Sequence, residues 1–386
     1  MAAPRGRLEA LTVDLTFTEE QQTLRQVVRE MCAKHSTPQH VREVEDDPIG
    51  FRPALWQQLN QIGLLGLTIP EQHGGLGQSA IEAVIVYEEF GRALAVSPHF
   101  VSSVVAAGLL ARGSSNEAAA KEWLPRIASG EAILSVAWFE AGGGCGPEGV
   151  RARCSNGKLA GEKLLVPFAS SASRLVVLAR TADDAVGIFL VDPAEASVEQ
   201  MRAMARETVH RVRFAGARAE QIGDWSTWSD VSVDAQIALA AYCVGGAERA
   251  LEMAVEYAKE RVQFDRPIGS FQGIAHPIAD MATEIEGSKV LTYEAAWARA
   301  HGKAAAPVLA AMAKYQAADA FKRTTKVGEQ VLGGIGFTLE IDMQLYFRRA
   351  KQLEITWWDP AYLEERIAAA ELDIEQPLVG VESRYD

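Results

Sequence analysis

The spacing of apolar residues changes twice along this chain of 386 residues, and the two changes limit the folds open to it. From Thr18, a suitable helix N-cap, apolar residues recur at the interval of an amphipathic helix. Near Ala132 short apolar runs separated by turn residues replace that pattern, and Asn156-Gly157 is a strong hairpin signal. After Ser229 the helical interval returns. The sequence therefore predicts helices, then a β-domain, then helices.

These changes divide the chain into four parts. We expect a mobile tail over 1–16, a helical domain over 17–131, a small β-barrel or sandwich over 132–228 and a four-helix bundle over 229–386. The expected strands are Ile133–Phe139, Leu159–Val166, Leu175–Ala179, Val186–Val191 and Val209–Phe214. The expected breaks in the last helical part are Pro267, Pro277 and Gly333-Gly334-Ile335-Gly336.

Charge and composition exclude several functions. The formal net charge is −13 and no basic run occurs, which argues against a nucleic-acid partner. The four cysteines form no CxxC pair, so we expect thiols in a reducing cytoplasm and no metal site. No apolar stretch approaches the roughly 20 residues of a membrane span. Small-molecule and protein partners are favoured.

The segment Glu260–Gln272 joins two predicted helices and contains three spaced residues. An ordinary loop explains it equally well, because an Arg near a helix C-terminus already interacts favourably with the helix dipole. However, Arg261, Phe264 and Gln272 match the spacing of a signature of the acyl-CoA dehydrogenase family. A second family segment, Gln-x-x-Gly-Gly-x-Gly, is matched by Gln330, Gly333, Gly334 and Gly336. The chain therefore resembles that family.

Three further segments extend the resemblance over most of the chain. Pro70–Gly77 resembles an early loop of the family, Asn156–Lys163 a hairpin of its β-domain, and Ala350–Ile355 a late helix. The resemblance implies an FAD cofactor bound across a subunit interface, with its flavin ring in the neighbouring chain. It implies that the Arg261 guanidinium contacts the pyrophosphate, for which a planar donor fork is suited. The cofactor-binding residues it implies are Arg261, Phe264, Gln272, Gln330, Gly333 and Gly334.

The catalytic base of the family is missing from this chain. Desaturation of an acyl thioester needs a carboxylate within reach of the α-proton. The usual Glu position is Trp357, and an indole cannot act as a base. The alternative position is Ala235, and the Arg that follows it in the family is Gln236. We therefore predict no catalytic residue in this chain.

The flavin-facing half of the chain's own site also departs from the family. Leu165-Val166-Pro167 stands where the family places a strand against the ring, and proline has no N–H to donate. In the loop over 139–146 only Glu140 is clearly retained. Asp359 is the best surviving carboxylate, but a helix cap before Pro360 explains it better than catalysis does.

The resemblance and these losses give a leading hypothesis and two alternatives. The leading hypothesis is a heterotetrameric acyl-CoA dehydrogenase of two plus two chains, similar to actinobacterial enzymes of sterol side-chain degradation. This chain would supply FAD contacts, while a catalytic homologue would hold most of the acyl-CoA. The alternatives are a self-sufficient flavoenzyme that uses Asp359 as base, and a scaffold without flavin.

Overall fold

The computed structural model describes residues 15–113 and 117–372, and it confirms the order of helices, sheet and helices. The tail expected over 1–16 lies outside the described residues except for its last two. Thr18 caps the first helix by accepting a hydrogen bond from the backbone N–H of Gln21. The N-terminal helices are α1 (Glu19–His35), α2 (Pro38–Glu43), α3 (Pro53–Gln61), α4 (Ala80–Arg92), a π-helical stretch (Phe100–Ala106) that continues into α5 (Ala107–Arg112), and α6 (Glu117–Ala128).

The middle of the chain forms a seven-stranded sheet with the neighbour order β1-β4-β2-β3-β7-β5. In addition, β6 pairs with β7, and β4 pairs with β5. Asn156 and Gly157 both have positive φ and form the tight turn between β2 and β3, as the sequence predicts. The strands are β1 (Leu134–Ala137), β2 (Arg153–Ser155), β3 (Lys158–Pro167), β4 (Arg174–Arg180), β5 (Val186–Val191), β6 (Ala196–Met201) and β7 (Val209–Asp224).

Two strands and part of a third are absent from the sequence prediction. β2 has only three residues, and β6 alternates between partly buried and exposed positions because it pairs with β7 alone. β7 continues to Asp224 instead of ending at Phe214, since its polar second half is held by backbone pairing to β5. None of these segments has the apolar run that identifies a buried strand.

Up to residue 372, where the described part of the chain ends, the C-terminal part consists of five α-helices and a short hairpin. The predicted break at Pro277 is wrong, because this proline lies in the second turn of α8, where its missing N–H costs a single helical bond. The breaks at Pro267 and Gly333 are confirmed. The elements are α7 (Trp225–Glu260), β8 (Val262–Gln263), β9 (Arg266–Pro267), α8 (Gln272–Ala300), α9 (Ala306–Leu332), α10 (Met343–Ile355) and α11 (Pro360–Glu371).

Glycines bring α4 of the N-terminal part against α7 of the C-terminal part. A Cβ at Gly245 would lie 1.8 Å from the carbonyl oxygen of Glu88, and one at Gly91 would lie 1.9 Å from that of Tyr242. Only glycine permits so close an approach of two helix backbones. The two helical parts therefore share one core, and within the described residues no helix is long and apolar enough to cross a membrane.

Candidate functional site

The hairpin β8–β9 presents the first set of predicted cofactor-binding residues. Its two loop residues, Phe264 and Asp265, have φ of 52° and 62°, the left-handed region that matches the twist of a two-residue hairpin. This conformation is uncommon for a bulky residue and costs about 1 kcal/mol or more. It leaves the Phe264 side chain 85% exposed. The hairpin thus holds an aromatic ring in solvent at some cost.

Arg261 lies where α7 ends and the hairpin begins. Its backbone N–H caps the helix by bonding to Tyr257, and its side chain is exposed. Among residues 15–113 and 117–372 the guanidinium makes no hydrogen bond or ion pair. Gln272, the first residue of α8, is also exposed. The hairpin region therefore offers an unpaired planar cation, the group best suited to phosphate oxygens.

The end of α9 presents the second set of predicted residues. Gln330, Gly333 and Gly334 are all exposed, and Gly333 has a φ of +67°. A Cβ at either glycine would meet no atom within 4 Å, so packing within the chain does not demand these glycines. Gly336 differs, because a Cβ there would lie 2.6 Å from the carbonyl oxygen of Glu329. Gly333 and Gly334 leave backbone open to close approach by another molecule.

These exposed groups fit an FAD molecule that is bound mainly by a neighbouring chain and contacted by this chain across the interface. The unpaired Arg261 guanidinium matches the diphosphate, and the bare backbone at Gly333 and Gly334 admits a flat ring. Their exposure in the single chain also fits contact with a group that lies outside it. All six cofactor-binding residues expected from the sequence lie at the surface of the C-terminal part.

A separate cavity of about 400 Å³ lies between the N-terminal helices, the sheet and α10. It brings together the positions at which the sequence departs from the family. Leu165 and Pro167 at the end of β3 line it, and so do Trp357 and Asp359 beyond α10. The chain's own flavin-side half-site, as inferred from the sequence, is therefore one continuous space. Ala235 lies elsewhere, fully buried in α7.

Four indoles, which we call the tryptophan cluster, pack together beside this cavity, and two of them line it. The lining pair is Trp138 and Trp357, and the buried pair behind them is Trp228 and Trp358. The ring centroid of Trp138 lies 5.6 to 6.0 Å from those of the other three. Trp357 and Trp358 have φ of 53° and 71°, so the chain turns sharply after α10 and directs both toward the core. The sequence analysis missed Trp138 and Trp228, whose proximity depends on tertiary packing.

Asp359 has both carboxylate oxygens occupied. One accepts a hydrogen bond from the backbone N–H of Tyr362, 3.2 Å away, and so caps α11. The other accepts from the Cys145 thiol at 3.3 Å. Burial raises the pKa of Cys145 to about 11, so this thiol stays protonated and continues to donate. The carboxylate of Asp359 is thus engaged in two contacts within the chain.

The sequence analysis also missed the other carboxylate of the cavity, Glu207. It lies in the loop between β6 and β7 and forms an ion pair of 3.1 Å with the buried Arg349. Gln352 donates a hydrogen bond to Glu207 and accepts one from the backbone of Ala205, which ties this loop to α10. Arg349 also donates to the Tyr242 hydroxyl at 2.5 Å. The Glu207 charge is therefore compensated inside the wall.

Glu140, the retained residue of the loop over 139–146, has a structural role. Its Oε1 accepts hydrogen bonds from the backbone N–H groups of Arg151 and Ala152 at 3.0 Å each. It also accepts from the ammonium of Lys163, 2.6 Å away and fully buried. Lys163 in turn donates to the carbonyl of Trp138. The pair fixes the loop to β3 beside the cavity.

His99 lines the cavity as a neutral imidazole. Its Nε2 donates to the carbonyl of Leu64 at 3.0 Å, so its Nδ1 accepts from the hydroxyl of Tyr87 at 2.8 Å. Burial lowers the pKa of His99 to about 4, from 6.5 in an exposed imidazole. Between these two pH values His99 therefore stays neutral in the native state, whereas it binds a proton in the unfolded chain.

We expect acid to destabilise the fold through His99 as pH falls from about 6.5 toward 4. The unfolded chain binds the proton first, so up to about 3 kcal/mol of stability is lost across this window. Urea unfolding of the His99→Gln variant should show a shallower loss between these pH values than the wild type shows. His276→Gln, an exposed position, is the matched control and should keep the wild-type slope. Equal slopes for both variants would contradict the prediction.

Comparison with known proteins identifies the family of the chain. The acyl-CoA dehydrogenase N-terminal domain matches residues 18–131, and the acyl-CoA dehydrogenase C-terminal domain matches residues 234–357. The chain is 33% identical to acyl-CoA dehydrogenase IpdE2 of Mycobacterium tuberculosis over 337 residues. That alignment covers 87% of this chain and 92% of the relative.

Two solved structures are similar over nearly the whole chain. The ChsE4-ChsE5 complex from Mycobacterium tuberculosis has a TM-score of 0.86 and 31% identity, covering 95% of this chain and all of the matched chain. A variant of the Tcur3481-Tcur3483 steroid ACAD has a TM-score of 0.82 and 31% identity, covering 91% of this chain and 97% of that chain. Both domain matches and these full-length similarities place the chain in the acyl-CoA dehydrogenase family, whose cofactor is FAD.

Proposed function

We propose that this chain is the non-catalytic subunit of a heteromeric acyl-CoA dehydrogenase, in which it helps to bind the FAD of a catalytic partner. The observation that carries the proposal is a contrast between two surfaces. The groups suited to a cofactor across an interface are exposed and unpaired, as at Arg261. The chain's own base position is occupied by Trp357, whose indole packs against the aromatic rings of Phe100 and Trp138.

FAD supplies the hydride acceptor when an acyl thioester is desaturated. In the proposed assembly Arg261 binds the diphosphate through its donor fork, and Phe264 covers part of the cofactor from solvent. Gln330 and the backbone at Gly333 and Gly334 contact the adenosine end. These residues position the cofactor and carry no proton of the reaction. The partner supplies the base and holds the acyl-CoA.

The nature of the similar structures supports a heteromeric assembly. Both are named as pairs of chains, ChsE4 with ChsE5 and Tcur3481 with Tcur3483, and the second is described as a steroid ACAD. We extend that substrate class to this chain's assembly and infer a CoA thioester of a sterol side chain. The four cysteines are free and buried, which supports the cytoplasmic location we propose for the assembly.

The alternative of a self-sufficient enzyme with Asp359 as base is not favoured. A general base must lie within hydrogen-bond reach of the proton it removes, and the contacts of Asp359 hold it in a structural position at the start of α11. Both oxygens of Asp359 already accept hydrogen bonds, from Tyr362 and from Cys145. A flavin-containing single chain that is reduced by an acyl-CoA, with loss of that reduction in Asp359→Asn, would restore this alternative.

We expect the chain to bind one FAD per heterodimer. It should be expressed alone and together with a catalytic family member from the same organism, and each preparation assayed for mass and for flavin absorbance after denaturation. The pair should contain about one FAD per two chains and desaturate acyl-CoA, whereas the single chain should do neither. Activity of the single chain, or two FAD per pair, would contradict the proposed function.

A further inference from the structure

The 400 Å³ cavity is a candidate binding site in its own right, independent of the exposed cofactor contacts. Its lining is largely apolar and includes the aromatic side chains of Phe90, Phe100, Phe139, Trp138 and Trp357. This volume and lining are typical of pockets that enclose small organic molecules. An apolar body would displace water from these walls favourably.

The two carboxylates of the cavity already have partners within the chain. Glu207 is paired with Arg349, and Asp359 accepts from Cys145 and the backbone of Tyr362. His99 is neutral, with both ring nitrogens bonded. A cationic ligand therefore finds no carboxylate without a partner there.

Two side-chain donors of the cavity have no acceptor among the described residues. Tyr242 lines the cavity and is 7% exposed. Its hydroxyl accepts from Arg349, and the hydroxyl proton has no acceptor among the described residues. At the exposed edge of the cavity Arg202 makes no ion pair or hydrogen bond within the same residues. Both groups would be satisfied by an oxygen that accepts hydrogen bonds.

The polar edge of a flavin ring does not match the apolar walls of this cavity. That edge carries several donors and acceptors, and burying them unpaired costs free energy. On the sheet side the cavity offers Leu165 and Pro167, of which proline has no N–H. Trp138 and Trp357 line the adjacent wall with apolar faces. The residues of this cavity do not fit the cofactor that the family implies.

We propose that the cavity binds an apolar carbonyl compound, a ketone or a carboxylate, and not a flavin. The hydrocarbon body lies among the aromatic side chains, and the oxygen accepts from the Tyr242 hydroxyl. A carboxylate gains a second contact, with Arg202 at the edge. The binding is non-covalent and leaves the contacts of Arg261 and Gln330 untouched.

Tryptophan fluorescence of the full chain, alone and in the purified pair, reports binding because Trp138 and Trp357 line the cavity. The probes are 2-undecanone, decanoate, decylamine and riboflavin. We expect saturable changes with the ketone and the carboxylate at micromolar concentrations. Decylamine should bind at least about tenfold more weakly, since no free anion faces it. Absence of saturable binding, or equal affinity for decylamine or riboflavin, would overturn the inference.

Variants separate the contributions of the two donors. Tyr242→Phe should weaken both oxygen-bearing probes about tenfold, the value of one hydrogen bond. Arg202→Ala should weaken decanoate and leave 2-undecanone unchanged. Ala203→Phe should fill the edge of the cavity and abolish binding, with Leu239→Phe as a second blocking variant if the first does not fold. Val290→Phe, at an exposed position of α8, is the control for added aromatic surface.

The flavin content of the pair separates this inference from the proposed function. Ala203→Phe should leave the FAD of the pair unchanged. If it removes the FAD, the cavity belongs to the cofactor site and the inference fails, while the heteromeric assembly stands. If Ala203→Phe blocks the probes as expected but the pair contains no FAD even in the wild type, the proposed function fails and the cavity site stands.

Discussion

Replacing Arg261 by Ala should release most of the FAD from the heteromeric pair. The guanidinium has no partner within the described residues, so its loss removes binding energy without leaving a broken contact inside the chain. Two charge-assisted hydrogen bonds to a diphosphate are worth about 1.5 to 3 kcal/mol each, which corresponds to at least about a hundredfold in affinity. FAD should be titrated into the apo pair and its dissociation constant measured from flavin fluorescence.

Two comparisons make the Arg261 result specific. Arg261→Lys keeps the charge but not the planar fork, and should bind FAD with intermediate affinity. Arg153→Ala removes an exposed arginine from β2, and should leave the dissociation constant unchanged. If Arg153→Ala weakens FAD as much as Arg261→Ala does, a general loss of positive charge is responsible and the direct contact is wrong.

Replacing Glu140 by Leu should destabilise the fold by about 3 to 5 kcal/mol, the usual cost of leaving a buried charge without its partner. The Lys163 ammonium is fully buried and has only the Glu140 carboxylate and the Trp138 carbonyl as partners among the described residues. The double variant Glu140→Leu/Lys163→Met should recover much of the loss, because it removes both charges. Urea unfolding at pH 7 measures all three free energies.

The pH dependence of the same pair has a defined sign. Burial lowers the pKa of Lys163 to about 8, with Glu140 acting in the opposite direction, whereas an exposed lysine titrates near 10.5. Between these values the unfolded chain holds a proton that the native chain has released, so stability rises with pH. In Glu140→Leu the rise should begin below pH 8. Glu199→Leu, an exposed position of β6, should keep the wild-type profile.

Local patterns along the sequence predict much of the fold. The capping residues Thr18 and Asp359 and the turn at Asn156-Gly157 determine their backbone conformation through nearest neighbours, so a single sequence is sufficient to identify them. The sequence does not predict β6 and the second half of β7. Backbone pairing with neighbouring strands holds these segments in the sheet, and they contain no run of apolar residues that would identify them. The break predicted at Pro277 is wrong because the number of backbone hydrogen bonds that a proline removes depends on its position in the helix, and near the N-terminus it removes few.

The residues of the candidate site also separate into those that local sequence predicts and those that only tertiary packing shows. Arg261 and Gln330 were predicted because the family signatures are contiguous segments, and their exposure follows from the hairpin and the helix end that carry them. Of the cavity wall, the sequence identifies Leu165, Pro167, Trp357, Asp359 and the loop over 139–146, and no more. Trp138, Glu207 and Tyr242 come from separate elements, and only packing shows that they face one space. Their identities contain no signal of that proximity.

The close contact between α4 and α7 has a consequence for synthesis. Arg92 at the end of α4 forms ion pairs with Glu248 and Glu252 of α7, and the first of these residues follows it by 156 positions. A nascent chain closes so long a loop only after the whole sheet has been made. During synthesis, the face of α4 that packs on α7 therefore stays uncovered until α7 has been made.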